Sequence, residues 1–218
     1  MTGRSRVLSV PYFVQPTPVT CQSTVLKMMA AYIENHVVMQ STGAAERNIL
    51  DIWKDINQDP RRPVKLVHHH LVHNAHANMK WWLESHFPSL RFMYIQTNHE
   101  DRAPESIVGF VDGGFPVLVA VSHTRTHGHI ILVIGYEDYQ PNMSSLDFKL
   151  VVHDPYGRFD PSLLSNLFGG KRSVGGMCMA SGGESGPGRG VRLAITGVGR
   201  HRLGDSMYGT YHLLSASR

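Results

Sequence analysis

Cys21 and Gln15 stand six residues apart (21 − 15), across a loop broken by Pro16 and Pro18. Beyond Cys21 the chain is apolar at helical spacing, with Val25, Met28, Met29 and Tyr32 in one stripe and Leu26, Ala30 and Ile33 in a second. The spacing predicts a helix over about 21–35 that begins at the cysteine, with Thr20 or Thr17 as N-cap. Only Ser23, Lys27 and Glu34 line up as a wet edge, so the helix reads as central and buried. A thiol at a helix start meets the positive end of the helix dipole and the unpaired N–H groups of the first turn. Both favour the thiolate, the nucleophilic form. The Gln15 side-chain amide can fold back beside the sulfur and donate to an oxyanion. A single cysteine at a helix start is equally a small buried hydrophobe, so the chemistry depends on what stands downstream.

A thiolate that attacks a carbonyl carbon needs an imidazole to share its proton and hand it to the leaving amine. His129 stands at the mouth of the run Ile130 to Ile134, which is apolar on both faces and reads as a central strand. His123 and His127 have the same strand parity, so alternation does not choose among the three. A third group must fix the imidazole tautomer. Asp154, after a strand and before Pro155, is placed to do this from the neighbouring strand; the same Asp-Pro pair is also an ordinary turn opener. Asp138 is its rival, read as sitting in the polar loop of Tyr139 to Ser145.

Four stretches together resemble the papain-like cysteine peptidases, and most closely the C39-like branch that includes bacteriocin-leader peptidases. They are Gln15 to Cys21, Gly113-Gly114 with the Pro116 strand, Gly128-His129 with its apolar strand, and Asp154-Pro155 with Gly157. They occur in the family's order over about residues 8–158. The resemblance selects His129 from the three histidines. It implies a Cys21, His129 and Asp154 triad with Gln15 at the oxyanion, and a protein or peptide substrate cut after small residues such as Gly-Gly. Gln22 departs from the pattern, which has glycine after the cysteine. A transpeptidase of the phytochelatin-synthase type resembles the same residue order, and a cell-wall peptidase or amidase is a further enzyme reading. A reading of another class is a non-catalytic, His-rich binding module.

The elements that must carry these residues follow from periodicity and punctuation. Short strands are read at about 7–14, 90–95, 116–122, 129–136 and 148–153. Further helices are read at 44–56, 74–86 and 105–112, the first with Ile49, Leu50, Trp53 and Ile56 on one face. The stretch 169–190 is rich in glycine and reads as a mobile loop. Strands at about 191–198 and 208–215 read as a closing pair within about 191–216. The fold expected is α+β and papain-like, a single domain over 1–218, with a helical half carrying the cysteine and an antiparallel sheet carrying the histidine and aspartate.

Composition limits the alternatives. The 218 residues are 42% hydrophobic, enough for a packed core. The net charge is +4 with 14 histidines uncounted, and the pI is near 9.2. That balance permits an acidic partner, but no nucleic-acid motif or dense basic run accompanies it. The only cysteines, Cys21 and Cys178, are too few for a disulfide framework, so a reducing compartment is expected. No signal-peptide or membrane-spanning run is visible, so the expectation is a cytoplasmic protein or one exported by a non-Sec route. A bacterial or phage peptidase, or a delivered toxin with an immunity partner, fits that pattern. His69, His73 and His76 share one helical face at metal-ligand spacing, but nothing local completes a site. They read as a solvated face, and no metal or cofactor is expected.

Overall fold

The computed structural model describes residues 3–17, 19–65, 72–97, 102–121, 129–140, 149–155, 188–194, 204–205 and 210–218. His123, His127, Cys178 and residues 169–187 of the glycine-rich stretch lie outside the described residues. In chain order the elements are β1 (Arg4–Val7), α1 (Cys21–Ile33) with a π-helical turn (Glu34–Val38), α2 (Ile49–Gln58) and α3 (Val72–His86). There follow β2 (Arg91–Thr97), α4 (Arg102–Asp112), β3 (Val117–Val121), β4 (His129–Tyr139), β5 (Lys149–His153), β6 (Val191–Ala194), β7 (Gly204–Asp205) and β8 (Thr210–Ser217).

The chain is α+β. Its antiparallel sheet runs β2-β8-β3-β4-β5-β6, with β1 paired to β4 and β7 to β8. β4 is central because Ile130 to Ile134 are buried on both of its faces. Its neighbour β3 pairs Val121 with His129, and β5 on the other side pairs His153 with Leu132. The sequence reading made 191–198 and 208–215 a closing pair. Instead, β6 pairs with β5 at one edge, while β8 inserts between β2 and β3. Adjacency in sequence did not decide adjacency in the sheet.

α1 packs against β4 and is buried along nearly its whole surface. The expected wet edge is not wet. Ser23 is fully buried, and Glu34 is 7% exposed. The Glu34 carboxylate accepts from the backbone N–H groups of Thr42, Ala44 and Ala45 and from the Thr42 hydroxyl. Burial acts to raise its pKa, but these donors outweigh it and hold the carboxyl below its usual range. Lys27 donates to the carbonyls of Ala45 and Arg47 at 2.9 and 2.7 Å. The polar edge of α1 therefore anchors the 42–47 segment.

That anchoring also explains the late start of α2. Lys27 and Glu34 hold the chain at Thr42, Ala44, Ala45 and Arg47, and the helix begins after Asn48, whose side chain accepts from the Asp51 N–H. Its buried face is Ile52 and Ile56, whereas Leu50, expected on that face, is 46% exposed. His76 was read as part of a solvated face. It is fully buried, stacked on Tyr94 at 5.1 Å and beside His212 at 5.5 Å. His69 lies outside the described residues, as does the side chain of His73.

Two glycines set the frame around β4. Gly114 (φ +86°) ends α4 in a Schellman motif: Phe115 N–H bonds Phe110 O and Gly114 N–H bonds Val111 O. Tyr32 of α1 donates to the Gly114 carbonyl at 3.0 Å, tying the cysteine helix to the start of the β3–β4 hairpin. Gly135 is where β1 crosses β4. A Cβ there would lie 2.4 Å from the Arg6 carbonyl oxygen, so only glycine lets β1 approach this closely.

Candidate active site

Cys21 is the first residue of α1 and is 8% exposed. Thr20 occupies the N-cap position but makes no side-chain cap. Its hydroxyl turns back to the Thr17 carbonyl at 2.9 Å and accepts from the Thr17 N–H at 3.1 Å. The first-turn N–H groups beside the sulfur therefore carry no side-chain cap, and the dipole end stays directed at whatever binds there.

His129 is the first residue of β4 and is 1% exposed. Its Nε2 is 2.8 Å from Asp154 Oδ1, both groups being buried. Asp154 follows the last residue of β5, so the antiparallel β4–β5 pairing brings a residue 25 positions away onto the imidazole. Burial drives the His129 pKa down. The Asp154 carboxylate outweighs this by charge and hydrogen bond, Cys21 adds to it in both ways, and the result is lifted to about 9. With Nε2 engaged by Asp154, Nδ1 is the ring nitrogen left to face the thiol. The ring thus lies between a carboxylate and a sulfur, holding its proton well above neutral pH.

Gln15 is fully buried. Its amide nitrogen donates to the Thr17 carbonyl at 2.7 Å, and its Oε1 has no hydrogen-bond partner among the described residues. One N–H of that amide is used by the Cys21 lead-in loop, and a primary amide has a second. The Gln15 backbone N–H bonds the Pro155 carbonyl at 3.0 Å, so the residue before the nucleophile loop is tied to the turn that carries Asp154.

Asp138 is not in a loop but in the outer part of β4, exposed, at φ +62°. It lies nine residues beyond His129, about 30 Å along the strand, and cannot reach the imidazole. The structure brings Cys21, His129, Asp154 and the Gln15 loop together. His123 and His127 fall outside the described residues.

The sequence reading gave no role to two residues that hold this site. Tyr12 donates to the Asp154 carbonyl at 2.9 Å. His153 joins the Val10 carbonyl and the Gly190 N–H at 3.0 Å each. No sequence pattern signals either contact, because both partners lie far along the chain. The turn 188–190 ends the glycine-rich stretch that was read as loose. Gly188 is buried, and its carbonyl accepts the Asp154 N–H at 2.9 Å.

Among the described residues no group of three or more His, Cys, Asp or Glu side chains is placed to hold a metal, and no helix is long and apolar enough to cross a membrane. No curated protein and no solved structure matches the chain. A family model described as the Peptidase_C39 like family matches residues 7–166. That span runs from the end of β1 past Asp154 and takes in Gln15, Cys21 and His129 in one order on one frame. Having most of its length within this match, the chain belongs to the Peptidase_C39 like family.

Proposed function

We propose that this peptidase is of the cysteine type, with Cys21 as nucleophile, His129 as proton carrier, Asp154 as its orienting carboxylate and Gln15 at the oxyanion. The observation that carries the reading is the His129 imidazole, buried between Asp154 and Cys21 and kept protonated to about pH 9. A proton held on the ring is the one the leaving amine needs, and the form of a cysteine that attacks a carbonyl is the thiolate. Family membership supports a protein or peptide substrate, and the helix-on-sheet arrangement with the site at its seam supports a papain-like fold.

In the acylation step Sγ bonds to the carbonyl carbon, and the carbonyl electron pair moves onto oxygen. The uncapped N–H groups at the start of α1 and the second N–H of the Gln15 amide are the donors for that oxyanion. The oxyanion then collapses and the C–N bond breaks. The leaving nitrogen takes the His129 proton and departs as an amine, and a thioester remains on Cys21. Water, losing a proton to the now neutral imidazole, adds to the thioester carbon. Collapse of that adduct releases the acid and restores the thiolate beside the protonated ring. Asp154 accepts from Nε2–H and so keeps that nitrogen the donor side of the ring.

The substrate is a chain with small residues before the cut. Gln22 follows the nucleophile on the first turn, half-buried, where a smaller residue would leave more room. The test is to incubate the parent and Cys21→Ala with a proteome-derived peptide library and identify new termini by mass spectrometry. Termini that form only with the parent support the reading, and glycine before the cut supports the specificity. Equal products from both proteins, or none from the parent, remove it.

A further inference from the structure

His153 is the last residue of β5, next to Asp154, and its ring is 2% exposed. Its two nitrogens have opposite obligations. The Gly190 N–H can only donate, so Nδ1, 3.0 Å away, is an acceptor and carries no proton. The Val10 carbonyl can only accept, so Nε2, also 3.0 Å away, carries the proton and donates. One tautomer of the neutral ring satisfies both, and the ring edge of Tyr12 packs on it at 5.3 Å.

The two segments that His153 joins are those that hold the backbone around Asp154. The 188–190 turn accepts the Asp154 N–H through the Gly188 carbonyl. The 10–15 lead-in supplies the Tyr12 hydroxyl to the Asp154 carbonyl and the Gln15 N–H to the Pro155 carbonyl. Each group flanking the carboxylate is therefore gripped by a segment whose place depends on the imidazole of the preceding residue.

We propose that His153 is a positioning residue of the site: as a neutral imidazole it clamps the Cys21 lead-in to the 188–190 turn and so fixes the Asp154 carboxylate on His129. This role rests on the reading of Cys21, His129 and Asp154 as the reacting set. Burial favours the neutral ring by lowering its pKa, the Val10 and Val152 backbone groups oppose that, and the Arg189 charge adds to it. Tyr12, His36, Arg189 and Arg192 line the cleft beside it together with the uncharged Ser9 and Asn35, and β4 presents Ile134 to that cleft; Asp154 is the next residue in the chain. A second proton would put a donor on Nδ1 against the Gly190 N–H and open the clamp.

Displacing the carboxylate from Nε2 removes what keeps the His129 ring protonated. The test follows the ring resonance of His129 against pH in the full chain, together with the rate at which iodoacetamide labels Cys21. His153→Phe keeps the ring bulk and loses both bonds. The expected result is a folded protein whose His129 midpoint falls by about one pH unit or more, as in Asp154→Asn. Labelling of Cys21 below pH 7 then slows about tenfold. His153→Asn keeps an acceptor for Gly190 and His153→Gln keeps a donor for Val10, so each falls between His153→Phe and the parent. A purely structural residue would change the folded fraction and leave the midpoint of the folded molecules alone.

A folded His153→Phe with the parent's midpoint and labelling profile overturns the proposal. If that variant does not fold, parent-like midpoints in both His153→Asn and His153→Gln overturn it. Neither readout needs a substrate. If the parent cleaves no peptide while the variants shift as stated, the peptidase reading fails and the positioning role stands. If the parent cleaves but the variants titrate as the parent does, the positioning role fails alone.

Discussion

His129 and Asp154 are 25 residues apart in the chain and 2.8 Å apart in the structure, both shut away from water. The contact exists because β4 and β5 run antiparallel and because the turn after β5 is held from both sides. A buried ion pair of this kind is costly to break one-sidedly, since the remaining partner is left in a medium that does not solvate charge. The prediction from it is a pH profile. Asp154→Asn removes the charge that raises the His129 pKa to about 9, so the alkaline limb of kcat/KM moves to lower pH. A variant whose limb stays at the parent's pH would contradict the pairing.

The same shift has a sign in stability. The folded pKa of His129, about 9, lies above the usual 6.5 of the unfolded chain. The folded state therefore binds the proton more tightly. The stabilisation is fully present below about pH 6.5 and is lost as the pH rises through about 9. Thermal midpoints of the parent should fall over that window more steeply than those of His129→Gln. Parallel curves would show that the ring does not hold an extra proton in the fold.

Gln15→Ala should lower kcat by about 10²–10³, the usual loss for one oxyanion donor, with KM little changed. Its effect on stability should be small, about 1 kcal/mol, because the amide makes one side-chain hydrogen bond, to Thr17, and its Oε1 is unpartnered among the described residues. Steady-state kinetics and a urea titration on the same preparation separate the two. A stability loss several times larger with kcat intact would make Gln15 a structural residue.

Gly135→Ala tests the frame rather than the chemistry. The added methyl would lie 2.4 Å from the Arg6 carbonyl oxygen and 2.8 Å from Val7 Cα, so β1 must move off β4. A loss of about 1–3 kcal/mol is expected by denaturant unfolding, as for other overpacked sites. Because the lead-in to Cys21 continues from β1, activity should fall as well. Full stability in this variant would mean that β1 is not seated on β4 as described.

Cys21→Ala should abolish turnover and leave the fold close to the parent, because the side chain sits at the rim of the core and alanine suits the start of α1. His129→Ala should be as damaging to turnover. Measuring both thermal midpoints alongside activity checks this. Residual cleavage by Cys21→Ala at the parent's sites would exclude the thiol as nucleophile.

What the sequence by itself determined is local or periodic. The apolar stripes after Cys21 define α1 and its burial, and the proline-broken loop before it places Gln15 nearby. The run after His129 defines a strand buried on both faces, because apolarity without alternation has only that solution in a sheet. The pairing of distant segments was decided by the tertiary structure alone. Ser23 and Glu34 keep the spacing of a wet edge, yet both are buried, Glu34 among the backbone N–H groups of 42–45. His76 looks like part of a solvated cluster, yet β2 and β8 bring Tyr94 and His212 against it. Asp138 and Asp154 are equivalent as letters, and strand register separates them by the length of β4. β6 and β8 follow one another in the chain but join different neighbours. The clamp at His153 has no local signature, because its partners, Val10 and Gly190, are 143 and 37 residues away. Side-chain period is a property of one segment, whereas a hydrogen bond between segments depends on which strands pair and in what register, and that is fixed only when the whole core is packed.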